Sequence, residues 1–93
     1  DTARGERWLR DRFPSAPRVI AWCEGSELDG VVWAEGLRQA ARADGVRLSI
    51  GVAARHPGMR VADAVAAASD ACTRARGLGG DMTIAHSALL RAA

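Results

Sequence analysis

Few side chains in this sequence are spaced to do chemistry, and the spacing limits what that chemistry would be. Cys23 and Cys72 stand far apart, with no CxxC pair and no histidine-rich neighbourhood, so both read as buried thiols and small hydrophobes. His56 and His86 are each alone, without the Cys, Asp or Glu pattern that a zinc site requires. Ser49 has no nucleophile-elbow context. One Gly-Gly-Asp, from Gly79 to Asp81, follows a helical stretch and reads as a helix stop leading into a strand, because two glycines there need no catalytic reason. Arg60-x-x-Asp63 opens that same stretch, where a carboxylate suits the positive end of a helix. No metal and no cofactor is expected from these residues.

Composition narrows the field further. At 93 residues the chain makes one domain, 1–93. Its 48% hydrophobic and 26% charged residues belong to a soluble globular protein, but twenty of the residues are alanine. The core must therefore be small, with Val, Ile, Leu and three tryptophans doing most of the burying. All thirteen basic residues are arginine, and the net charge of +2 is spread over every segment. Nucleic acid is set aside, since it needs several phosphates neutralised by one face. No apolar run approaches the roughly eighteen residues of a membrane span. No secretory leader is visible, and the expected compartment is the cytoplasm.

The elements that must position these residues follow from periodicity and turn chemistry. Trp8, Leu9 and Phe13 suit one face of a short helix over Arg4 to Phe13, which Pro14 and Pro17 end. Arg18 to Cys23 is short, apolar and rich in strand formers, which predicts a buried strand. Ser26, three before Asp29, opens a helix as a capping-box variant; Trp33, Leu37, Ala40 and Ala41 recur at helical spacing up to a stop at Asp44 and Gly45. Val46 to Ala53 is the clearest strand, with Val46, Leu48, Ile50 and Val52 on one face and Arg47, Ser49 and Gly51 on the other. A glycine inside a strand marks close approach of another backbone or a ligand. A long helix then runs from Val61 to Arg76, with the stripe Val61, Val65, Ala68, Cys72 and Ala75 expected to face the sheet. Gly77, Gly79 and Gly80 terminate it, Met82 to His86 forms a third strand, and Ser87 to Ala93 is a short helix or frayed tail. The expected fold is α/β in αβαβαβ order, a small three-stranded sheet with helices packed on it and an edge strand free for pairing. Trp22 and Trp33 are expected in the core.

Ser49-Ile50-Gly51-Val52-Ala53, together with Ala68 to Gly79, resembles the C-terminal half of the GGDEF domain of bacterial diguanylate cyclases. There a strand reading SIGVA precedes a helix bearing A-D-x-A-L-Y-x-A-K-x-x-G and a closing strand. Ala68, Ala71, Ala75 and Gly79 keep that register, while Ser69, Cys72, Thr73 and Arg76 replace the family's Asp, Leu, Tyr and Lys. The match covers Val46 to about His86 and is looser before it. The resemblance implies part of a nucleotide-cyclase-like palm fold and a role in cyclic di-GMP signalling. It also implies that Arg76, in place of the family's phosphate-contacting lysine, is the candidate nucleotide-binding residue.

The family's metal-binding pieces have no counterpart here. Cys23-Glu24-Gly25-Ser26-Glu27 is a poor match to the signature turn, no first strand with a metal-binding aspartate is present, and Gly79-Gly80-Asp81 follows the wrong helix. Arg60 and Asp63 share the spacing of the family's inhibitory motif but open a helix instead of preceding a signature turn. The expectation is a degenerate, truncated GGDEF-like module, not an enzyme, acting through homodimerisation or a protein partner and binding guanine nucleotide weakly if at all. Trp8 is the candidate interaction residue, on a short helix that would gain from packing on another chain. The alternative is the C-terminal part of an active diguanylate cyclase whose metal-binding half lies outside this chain.

Overall fold

The structure, a computed structural model, describes residues 20–92. In order, its elements are α1 (Glu27–Ala43), β1 (Ser49–Val52), α2 (Val61–Gly77), β2 (Met82–Ala85) and α3 (His86–Ala92). The helix expected over Arg4 to Phe13, Trp8 included, lies outside the described residues. None of the described helices is long and apolar enough to cross a membrane.

Local chemistry accounts for both ends of α1. The Ser26 hydroxyl accepts the Asp29 N–H at 3.2 Å, and Asp29 Oδ2 accepts the Ser26 N–H at 2.8 Å, a reciprocal capping box. The Ser26 N–H, and after it the Ser26 hydroxyl, holds the Asp29 carboxyl below its ordinary pKa. At the other end Gly45 takes φ +79°, and the N–H groups of Gly45 and Val46 donate to the carbonyls of Arg42 and Ala41. That pairing is a Schellman stop.

β1 and β2 pair in parallel, with Ser49 opposite Met82, Ile50 opposite Thr83, Gly51 opposite Ile84 and Val52 opposite Ala85. β1 is shorter than the expected Val46 to Ala53, because β2 offers only four partners and Val46 is drawn into the close of α1. Helix α2 joins the strands as a crossover. The two helices lie on opposite faces of the sheet. A Cβ on Gly51 would meet the Ala68 carbonyl oxygen at 2.0 Å and the Cys72 nitrogen at 2.3 Å, which puts α2 on the Gly51 face. A Cβ on Gly30 of α1 would instead meet Val52 Cγ1 at 2.9 Å, and Val52 points the other way from Gly51. Alanine dominates the core, with Ala34, Leu37, Ala41, Ala64, Ala71 and Ala75 buried.

Four expectations are corrected. The described sheet has two strands, not three: Ile20 to Cys23 is not a strand, and Arg18 and Val19 lie outside the described residues. Cys23 Sγ lies only 3.6 Å from the Cβ position of Gly30, so this segment runs beside α1 instead of pairing with β1 or β2. Trp22, expected in the core, is 62% exposed, and Cys23 is exposed as well. On α2 the buried positions are Ala64, Ala71 and Ala75, while Val65, Ala68 and Cys72 are half-buried and Val61 is exposed. Strand and helix approach so closely at Gly51 that only alanines fit the contact line, which moves the valines to its side.

Candidate functional site

The carboxylate-bearing turn lies at the amino ends of the strands. Helix α2 closes in a second Schellman stop, the N–H groups of Gly79 and Gly80 donating to the Arg76 and Ala75 carbonyls at 3.2 and 2.9 Å. Gly79, Gly80 and Asp81 all have positive φ, at +118°, +75° and +52°. For Asp81 that conformation costs about 1 to 2 kcal/mol. Its side chain is held from α1: Arg38 Nη1 lies 3.2 Å from Oδ1, and Arg42 Nη1 lies 3.6 Å from Oδ2. Arg38 also donates to the Asp81 carbonyl at 3.3 Å. The Arg38 and Asp81 side chains are only 15% and 17% exposed. Arg38 is bound in turn by Glu35, Nη2 to Oε2 at 2.7 Å, and that contact first, then Asp81, raises its pKa against the opposing effect of burial. Gly79-Gly80-Asp81 is thus a helix stop whose carboxylate fastens β2 to α1.

Arg76, the candidate phosphate contact, is exposed in the last turn of α2. Asp81 faces Arg38 and Arg42, so the structure brings no free carboxylate beside Arg76 in that turn. Arg60 and Asp63 pair with each other, Nε to Oδ2 at 3.1 Å and Nη2 to Oδ1 at 3.3 Å, at the exposed start of α2. Cys72 donates its S–H to the Ser49 carbonyl at 3.2 Å, a packing contact across the Gly51 face. Trp8 lies outside the described residues.

A cleft of about 170 Å³ opens at the other end of the sheet, outside the carboxyl ends of both strands. Glu27, His56, Met59, His86, Ser87 and Leu90 line it, with small alanines between them. This is where open parallel sheets present ligand sites, because the loops leaving the strands converge there. The Glu27 carboxylate, from the first turn of α1, accepts the Ser87 hydroxyl on Oε1 and the Ser87 N–H on Oε2 at 3.3 Å. Sequence spacing gave no sign of this contact, since its partners are 60 positions apart. Among the described residues no three His, Cys, Asp or Glu side chains converge to hold a metal ion; His56 and His86 both line the cleft.

No protein-family model, no curated protein and no solved structure matches this chain. The likeness to a GGDEF domain therefore rests on the motifs alone.

Proposed function

We propose that this domain is a non-catalytic, GGDEF-like regulatory or interaction module of the bacterial cytoplasm, acting through a protein partner and first of all through a second copy of itself. The observation that carries the reading is the open sheet. Among the described residues β1 and β2 pair only with each other, so each keeps one outer edge of N–H and C=O groups unpaired. Parallel sheets are normally larger and covered, and an open edge is a template for another strand. Trp22, Leu28 and Val32 add exposed apolar surface that association would cover.

The non-catalytic part is supported by Asp81. Both its oxygens face arginines, whereas phosphoryl transfer to form cyclic di-GMP needs carboxylates facing divalent cations. Any guanine nucleotide contact falls to Arg76 and is weak. Sedimentation velocity over a micromolar concentration series tests the association: a dimer at high micromolar concentration is expected, with Trp8→Ala shifting it toward monomer. A monomer at every concentration overturns the reading. Conversion of GTP to cyclic di-GMP above a buffer control would instead favour the cyclase alternative.

A further inference from the structure

We propose that the cleft at the carboxyl ends of β1 and β2 binds a small organic cation, an ammonium head on a short apolar body. Its charge complementarity comes from Glu27. That carboxylate is half-buried, lines the cleft and is held in place by Ser87, so its position is fixed before any ligand arrives. Among the described residues no arginine lines the cleft and no cation lies within ion-pair distance of Glu27. Among the described groups its charge is met by the Ser87 hydrogen bonds and by the amino end of α1, whose first turn it occupies. The two bonds from Ser87 take one lone pair on each oxygen, which leaves acceptor capacity for an ammonium group.

Met59, Leu90 and the neighbouring alanines supply apolar walls for the ligand body, and the imidazoles of His56 and His86 stand at the same cleft. The volume of about 170 Å³ suits about five or six non-hydrogen atoms, at the roughly 30 Å³ each occupies in a liquid. An anion of the same size would meet the Glu27 carboxylate, with no described arginine lining the cleft to offset it. The cleft is also separate from Arg76. Ala67, which lines the cleft from α2, stands nine residues before Arg76, about 14 Å along the helix, so one small ligand cannot touch both. This assignment is independent of the association reading, since it concerns the strand ends and not the sheet edges.

The test is an NMR titration of the 93-residue chain with n-butylammonium, butyrate and n-butanol, three probes that share a body and differ in the head. Butylammonium should give saturable shifts at Ala53, His86 and Leu90, with affinity roughly tenfold or more above butyrate. Glu27→Gln should remove the preference for the ammonium head, and Leu90→Ser should weaken butylammonium and butanol alike. Glu27→Gln also disturbs the Ser87 contact, so the comparison of heads on the unaltered chain stands by itself. Equal binding of butyrate and butylammonium, a preference that survives Glu27→Gln, or no saturable shift up to about 0.1 M would overturn the proposal.

Discussion

On one face of the sheet Gly51 lets α2 approach at backbone distance, whereas on the other α1 meets side chains: Val52 beneath Gly30, and Asp81 gripped by Arg38 and Arg42. The first contact is made by main-chain atoms that have no room to yield. The second is made by side chains that can shift by a rotamer or a few tenths of an ångström. The α2 face should therefore tolerate almost no added volume, while damage on the α1 face should be graded.

The largest effect is expected from Gly51→Ala. Its Cβ would sit 2.0 Å from the Ala68 carbonyl oxygen, so α2 must lift off the sheet, at a cost of about 3 kcal/mol or more in urea denaturation. Gly30→Ala is its control across the sheet. There the obstacle is a Val52 methyl, and the helix gains about 1 kcal/mol of propensity, so the midpoint should stay within about 1 kcal/mol of the parent. Equal losses from the two substitutions would erase the distinction between the faces.

Next comes Asp81→Asn, which keeps a residue tolerant of positive φ and removes only the charge facing Arg38 and Arg42. The denaturation midpoint should fall by less than for Gly51→Ala and by more than for an exposed cap, and the deficit should shrink in high salt. Ser26→Ala is smaller, about 1 kcal/mol, the usual worth of an N-cap. It carries a pH signature. The folded-state pKa of Asp29 is depressed, so its contribution is present above the unfolded value and is lost as pH falls through the folded one. The alanine variant keeps the Ser26 backbone N–H but loses the hydroxyl, and part of that acid-side loss should disappear. The smallest effect has the opposite sign. Thr83 Oγ1 is buried without a described partner, so Thr83→Val should be neutral or stabilise by up to about 1 kcal/mol in the same assay.

The contrast between the faces also marks what was legible in the sequence. Three helix termini rest on local chemistry within a few residues: Ser26 with Asp29 at the start of α1, Gly45 after it, and Gly79 with Gly80 after α2. Those features were readable, as was the close approach signalled by a glycine inside β1. Side-chain periodicity on α2 places Ala75 of the stripe Val61, Val65, Ala68, Cys72 and Ala75 correctly. Ala64 and Ala71, each one residue earlier, are buried in place of Val65 and Cys72, because close backbone approach selects small side chains. The Arg38–Asp81 and Glu27–Ser87 contacts join residues 43 and 60 positions apart, and no local pattern encodes them. The strand expected over Arg18 to Cys23 rests on a short apolar run, of which Ile20 to Cys23 are described. Such a run is equally at home beside a helix, and here Cys23 lies against Gly30 of α1.

The central proposal is that the open edges of the two described strands are covered by a second copy of the chain. Amide hydrogen exchange, measured residue by residue at low and at high protein concentration, tests it most directly. The β1 and β2 amides that point away from the shared ladder should exchange more slowly as concentration rises, while those inside the ladder change little. Outer-edge amides whose exchange is the same at every concentration would contradict the account.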